Sequence, residues 1–256
     1  MTRIHHVLEG REDAPVIVLA HALGTDLRLW NFQVPALREY FRVLRFDFRG
    51  HGASEVPPGP YGMDDLGGDV LALVERLGIE RFHFCGCSLG GQVGLWLGLN
   101  APDRLERLVL ANTAARLGSE DYWNARIDAV RTRGMEAVVE GGGVERWLSA
   151  GFRVAAPDVT ELAREWLLRT PPDGYVATCA ALRDFDVREQ VDLVTAPALV
   201  VTGAFDRAAP PEDGRFLAKR IPGARHAEFP TAHFSNIEAA GEFTSALIEF
   251  LLAGER

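Results

Sequence analysis

The amino-acid sequence predicts an α/β protein: a mostly parallel sheet with helices on both faces and an inserted helical cap. Three observations lead to that expectation. Short, almost wholly apolar runs alternate with segments whose apolar residues recur at helical spacing, the pattern of a sheet covered on both faces. This rhythm stops between residues 117 and 190 and then resumes. At residues 82–91, F-H-F-C-G-C-S-L-G-G, an apolar run breaks into a glycine-flanked serine, and the apolar segment Val93 to Leu99 follows, reading as strand, sharp turn, helix. The expected division is a sheet domain made of residues 1–116 and 191–256, with a cap over 117–190.

The composition narrows the function classes. At 256 residues and 47% hydrophobic content the chain can bury the core of one large domain. Its formal net charge of -9 argues against nucleic-acid binding and against partners held by a basic patch, and a small anionic substrate would need a local cation. The opening M-T-R-I-H-H-V-L-E-G-R-E-D has no apolar core of the secretory kind and no stretch approaches a membrane span, so a cytoplasmic protein is expected. Cys85, Cys87 and Cys179 cannot form a disulfide framework, and no C-x-x-C or His/Cys cluster suggests a metal. Cys87, beside Ser88, reads as a buried small residue.

Taken in order, Ile4 to Leu8 and Val16 to Ala20 read as strands around the polar turn Gly10 to Ala14, as in a hairpin. The loop His21-Ala22-Leu23-Gly24-Thr25 follows, where a strand end delivers backbone N–H groups to a site; Leu23 is the expected donor, and His21 is expected to shape the loop by hydrogen bonding. Val34 to Tyr40 is helix-like, and Val43 to Phe46 is a strand. In the turn D-F-R-G-H-G-A-S that comes next, Asp47 and Arg49 can pair, and His51 reads as structural. Leu66, Val70, Leu73, Val74 and Leu77 mark a helix, with Asp64 at its start and Gly78 at its stop. Beyond the serine turn, Leu108 to Ala111 is an apolar strand. In the cap, Trp123, Trp147, Trp166 and Tyr175 fall among helical spacings and can pack against the body or line a pocket. Ala198 to Thr202 and Ala224 to Phe229 are the last strands, and Phe243, Ala246, Leu247, Phe250 and Leu251 mark a closing helix.

Chemistry gathers where these strands end. Ser88 sits on a turn tight enough to need Gly86 and Gly90 beside it, and the N–H of Leu89, at the positive end of a helix, can hold an oxyanion. Asp206 and His233 each follow a predicted strand. The chain order nucleophile, acid, histidine is that of one serine-hydrolase architecture.

These residues identify the chain as similar to the α/β-hydrolase fold family. Within it, L-G-T-D-L-R-L-W, F-R-G-H-G-A-S, G-C-S-L-G-G, N-T-A-A-R, W-N-A-R-I and A-H-F-S-N-I-E resemble 3-oxoadipate enol-lactonases over nearly the whole chain. His21-Ala22 and G-A-F-D-R-A-A depart from that pattern. The resemblance implies a small lactone or ester substrate in the β-ketoadipate pathway of aromatic-acid degradation, without cofactor or metal. It implies Ser88 as nucleophile, His233 as base and acid, Asp206 as its orienter, and Leu23 with Leu89 as oxyanion donors. Arg126, one helical turn from Trp123, is the candidate for the substrate carboxylate, and Trp123 and Trp147 for the pocket walls. A general carboxylesterase, another lactonase, a perhydrolase or a non-catalytic ligand receptor on the same fold stay open as alternatives.

Overall fold

The computed structural model describes residues 2–253. Seven strands form its sheet: β1 (His6–Glu9), β2 (Val16–Ala20), β3 (Arg42–Phe46), β4 (Phe82–Cys87), β5 (Leu105–Ala111), β6 (Ala198–Gly203) and β7 (Arg225–Phe229). Their order across the sheet is β1-β3-β2-β4-β5-β6-β7, with β1 antiparallel to β3 and every other neighbouring pair parallel. Three helices connect the first strands: α1 (Val34–Leu37), α2 (Met63–Arg76) and α3 (Leu89–Asn100). Six more lie between β5 and β6: α4 (Glu120–Arg133), α5 (Glu136–Glu140), α6 (Gly143–Trp147), α7 (Ala150–Ala155), α8 (Pro157–Arg169) and α9 (Pro172–Asp184). Then α10 (Pro211–Arg220), α11 (Ser235–Glu238) and α12 (Ala240–Leu252) complete the fold.

The apolar runs of β2, β4 and β6 are central strands because their side chains are buried on both faces, as a parallel sheet with helices on each side demands. β1 and β2 do not form the expected hairpin. β3 lies between them, so that β2 gains parallel partners on both edges, while the half-buried β1 closes the sheet antiparallel to β3. The expected pairing of Asp47 with Arg49 is also replaced. Arg49 reaches α2, bonding Asp69 at 2.6 Å and Asp65 at 3.0 Å, whereas buried Asp47 accepts the N–H groups of Leu27 (2.8 Å) and Ala53 (2.9 Å). A buried carboxylate bonded to backbone fixes two loops at once. Helix α2 begins at Met63, one residue before Asp64, capped by Gly62, whose N–H is held by the Asp65 carboxylate at 2.8 Å.

Between β4 and α3 the chain turns within one residue. Strand, turn and helix crowd together there: a Cβ on Gly86 would lie 2.1 Å from the Gly90 carbonyl oxygen, and one on Gly90 would lie 2.3 Å from that of Ala20. Backbone atoms cannot step aside as a flexible side chain can. Gly86→Ala is therefore expected to destabilise the fold by about 1–3 kcal/mol or more through overpacking. Gly68→Ala, in α2 with nothing within 4 Å of the added carbon, is expected to stabilise it by roughly 0.4–1 kcal/mol. Urea unfolding of the two variants should give shifts of opposite sign.

Candidate active site

Ser88 occupies this turn with φ 55° and ψ -112°, outside the regions a side-chain-bearing residue ordinarily adopts. Its backbone is held on both sides: its N–H donates to Ala111 at 2.9 Å, and its carbonyl accepts the Thr113 hydroxyl at 2.7 Å and the Gln92 N–H at 3.0 Å. The Ser88 hydroxyl is bonded to no other described residue and borders a cavity that His233 also lines. Neighbouring Cys87 is buried, and burial pushes its thiol well above the ordinary range, so it stays an uncharged packing residue.

His233, in the loop after β7, bonds Asp206 in the loop after β6: Nδ1 of the imidazole is 2.8 Å from Oδ2 of the carboxylate. Asp206 is almost completely enclosed and fully bonded. Its Oδ1 accepts the N–H groups of Ala208 (2.8 Å) and Ala209 (3.0 Å), and its Oδ2 also accepts Nδ2 of Asn112 at 3.1 Å. Those donors fix the carboxylate plane, which in turn fixes the imidazole with Nδ1 as donor and Nε2 directed away from Asp206. Asn112 is the second non-glycine residue with a positive φ, 48°, and it also bonds the carbonyl of Ala232 beside His233 at 3.3 Å. From the sequence it stood only within the motif N-T-A-A-R, with no role assigned; a polar residue just past the end of an apolar strand is the signal that was there to be read.

Leu23 and Leu89 border the same place from two directions. Leu23 follows β2 and lines the cavity, and Leu89 is the first residue of α3. Among the described residues neither backbone N–H donates to a protein acceptor. Two N–H groups without partners beside a serine hydroxyl can bind developing negative charge on an oxygen.

The cavity has a volume of about 400 Å³. Its floor is Ser88, Leu23 and His233, and its far wall comes from the helices between β5 and β6. Trp123, Arg126 and Trp147 all line it. Trp147 stacks on Phe234, with ring centroids 4.8 Å apart, and its carbonyl accepts the Phe234 N–H at 3.0 Å, which ties the helical layer to the histidine loop. Trp123 is anchored by its indole N–H to the Leu117 carbonyl at 2.6 Å. Arg126 bonds the Tyr175 hydroxyl at 2.9 Å and lies over the ring of Tyr122, 5.1 Å from its centroid. Arg146 also lies over that ring, 5.2 Å from its centroid, and bonds the Tyr122 hydroxyl. Tyr175, one of the aromatics expected to pack or to line a pocket, lines it together with Tyr122, whereas Arg146, Arg207 and Asp213 were not anticipated. None of Arg126, Arg146 and Arg207 is paired with a carboxylate of the described residues. Burial, with Glu212 and Asp206 nearby, pushes the Asp213 carboxyl up. Among the described residues no group of three His, Cys, Asp or Glu side chains could hold a metal ion, and no helix is long and apolar enough to cross a membrane.

The alpha/beta hydrolase fold family matches residues 15–144. The chain belongs to the α/β-hydrolase family. This α/β hydrolase is 35% identical to 3-oxoadipate enol-lactonase 2 of Acinetobacter baylyi, over 95% of this chain and 91% of that protein. Its structure superposes on that of the enol-lactonase from Burkholderia xenovorans LB400 with a TM-score of 0.96 and 44% identity, covering 98% and 96% of the two chains. A thermophilic esterase from Thermogutta terrifontis aligns with a TM-score of 0.92 and 28% identity over 98% and 93%. The chain is thus a hydrolase and a relative of the enol-lactonases.

Three buried histidines of this α/β hydrolase stand outside the Asp206–His233 pair. Burial holds His21 down to about 4 and His51 to about 3, and burial with the charge of Arg107 holds His83 to about 4. A histidine whose folded value is depressed binds fewer protons in the native state than in the unfolded chain. Its stability contribution is complete above about pH 6.5 and is lost as the pH falls toward the folded value. His83 packs edge-on against Phe41 and leaves Nδ1 unbonded. In His83→Phe, the slope of unfolding free energy against pH between 6 and 5 should therefore fall by up to about 1.4 kcal/mol per pH unit, one proton's worth. The Asp47 carboxyl, pushed up by burial, acts in the opposite sense but is common to both proteins and cancels. Urea titrations at stepped pH measure the difference, and equal slopes would mean that His83 is already charged in the native state.

Proposed function

We propose that this hydrolase opens 3-oxoadipate enol-lactone to 3-oxoadipate through an acyl-enzyme on Ser88, as a cytoplasmic step in aromatic-acid degradation. The observation that carries this reading is the presence of two arginines without carboxylate partners, Arg126 and Arg146, on the wall of the cavity that holds Ser88 and His233. In a chain of net charge -9 such a concentration of free cation favours an anionic substrate. The enol-lactone carries one free carboxylate besides its reacting carbonyl. The likeness to enol-lactonases, at 35–44% identity over nearly the full chain, favours the same substrate.

In this reading Ser88 Oγ turns toward His233 Nε2, gives up its proton and attacks the lactone carbonyl. Asp206 keeps the imidazole in the Nδ1–H tautomer and stabilises the cation that forms. The negative charge on the carbonyl oxygen is received by the N–H groups of Leu23 and Leu89. Collapse of the tetrahedral intermediate breaks the ring C–O bond, and the enol oxygen leaves with the proton from His233. An enol is a better leaving group than an alkoxide, and it stays tethered to the acyl chain. His233 then takes a proton from water, whose oxygen attacks the ester, and returns it to Ser88 Oγ as the acid departs; the enol tautomerises to the ketone. We take residues 117–190 as the cap that supplies the specificity side of the site, with Trp123 and Trp147 as its apolar walls and Arg126 holding the carboxylate.

Purified protein should hydrolyse freshly generated enol-lactone far faster than p-nitrophenyl acetate. Ser88→Ala should lower kcat by about 10⁴-fold or more on both substrates. Arg126→Ala should raise KM for the lactone by roughly 10–100-fold, the size of a lost charge-assisted hydrogen bond, and leave that for p-nitrophenyl acetate in place. Cleavage of the simple ester alone would retain the serine chemistry and remove the enol-lactone assignment. Failure of folded protein to react with a fluorophosphonate at Ser88 would point to a binding protein.

A further inference from the structure

The turn Asp47–Ser54 lies against the loop that carries Leu23, and the two are joined by hydrogen bonds at three points. The N–H of Phe48 donates to His21 Nε2 at 3.0 Å, the N–H of Gly24 donates to His51 Nε2 at 3.1 Å, and the N–H of Leu27 donates to the Asp47 carboxylate at 2.8 Å. Both imidazoles are fully buried, with ring centroids 5.4 Å apart. Each therefore uses Nε2 as an acceptor, which places its proton on Nδ1: that of His21 toward the Ala22 carbonyl (2.8 Å) and that of His51 toward the Arg49 carbonyl (3.3 Å). Neither can accept a bond at Nε2 once protonated.

The consequence falls on Leu23. A trans peptide is planar, with its C=O and N–H pointing in opposite directions. The Ala22 carbonyl is held by three donors, His21 Nδ1, the Thr25 N–H (3.2 Å) and the Thr25 hydroxyl (2.8 Å), and this fixes the direction of the Leu23 N–H. On its far side the next peptide, Leu23 to Gly24, is held through the Gly24 N–H by His51 alone. Gly24 has φ +75°, where a side chain would be strained, and a Cβ there would meet Leu167 at 2.9 Å, so the position needs glycine. A glycine also lets its peptide rotate freely unless something outside the loop holds it.

We propose that His51 is a positioning residue for the oxyanion hole: its Nε2 holds the Gly24 N–H and so keeps the Leu23–Gly24 peptide from rotating, completing from the C-terminal side of Leu23 the hold that the donors on the Ala22 carbonyl give the Leu23 N–H from the N-terminal side. This rests on the reading above of Leu23 as an oxyanion donor. The group is well suited to the task, because burial holds both imidazoles down, His51 to about 3 and His21 to about 4, and they remain acceptors throughout the neutral range. His51 touches no substrate; its effect is confined to the stage at which negative charge develops on oxygen.

Kinetics of His51→Leu and His51→Gln test this, with Ser88→Ala in the same enol-lactone and p-nitrophenyl acetate assays. The leucine removes the acceptor, and the glutamine offers Oε1 near the place of Nε2. His51→Leu should lose about a hundredfold in kcat on both substrates, as for a lost oxyanion donor, with KM within about threefold, and His51→Gln should recover most of it. Affinity for a trifluoromethyl ketone, whose tetrahedral adduct places an oxyanion in the hole, should fall in parallel with kcat, while that for a simple carboxylate inhibitor stays constant. If His51→Leu does not fold, His51→Asn, one methylene too short to reach Gly24, takes its place. A folded acceptor-less variant with unchanged kcat, or one in which Gln is no better than Leu, overturns the proposal while leaving the serine chemistry standing. Activity retained by Ser88→Ala overturns the underlying reading, and the role of His51 with it.

Discussion

Ser88 is held in a backbone conformation that costs about 1–3 kcal/mol for a residue with a side chain, and much of the surrounding architecture serves to keep it there. The strain persists because the neighbouring strands leave the chain no room to relax. Gly86 and Gly90 bring strand and helix into backbone contact, Gly90 lies against Ala20 of the adjacent strand, and Thr113 grips the Ser88 carbonyl from the end of β5. Relaxing φ at one residue would require β2, β4, β5 and α3 to move together. Such over-determination comes only from a parallel sheet whose central strands are buried on both faces, and it explains why the hydroxyl is presented outward with little freedom.

A second rigid unit carries the histidine. Asp206 accepts four hydrogen bonds, and Asn112, itself at a positive φ, links that carboxylate to the Ala232 carbonyl next to His233. Asn112 and Thr113 are consecutive, so the end of β5 braces Ser88 with one residue and the acid and histidine loops with the next. The helical layer joins this unit too: Glu238 accepts the N–H groups of both Ala232 and Ser149, at 3.0 Å each, and Phe234 is bonded to and stacked on Trp147. Position of the imidazole and position of the helical wall of the cavity are therefore mechanically linked.

What could be read from the sequence follows from the range of the forces involved. The central strands announced themselves because a doubly buried strand must be apolar throughout, and Ser88 and Asp206 stood out because each follows such a run; His233 follows the polar, largely exposed β7 and stood out by its place after them in the chain order. Strand partners were another matter: the polar turn between β1 and β2 looks the same whether the strands pair or a third comes between them, and only the long-range insertion of β3 decides. Arg49 likewise had an acid two residues away at Asp47 and two on α2, and burial of Asp47 against backbone donors settled the choice. The cavity wall was the least legible part. Trp123, Arg126 and Trp147 could be named because aromatics and a cation fall on helical spacings, but Arg146, Tyr122 and Tyr175 meet only through tertiary packing of α4, α6 and α9, and Asn112 acts across 94 residues of sequence separation.

The two halves of the site differ in what fixes them, and this bears on how one fold can serve different substrates. Ser88, the Leu23 and Leu89 N–H groups, Asp206 and His233 are placed by backbone and strand ends, so their geometry changes little unless the sheet changes. Arg126 and Arg146 are placed by side-chain packing on Tyr122 and Tyr175, and among the described residues neither is paired with a carboxylate. A cation stacked on a tyrosine ring in a half-buried wall retains more of its attraction for an anion than one screened by water. Under the function proposed above, substitution on that wall would change which substrate is held, and substitution among the strand-end residues would change the rate on every substrate alike. On that proposal the chemistry belongs to the sheet and the choice of substrate to the inserted helices.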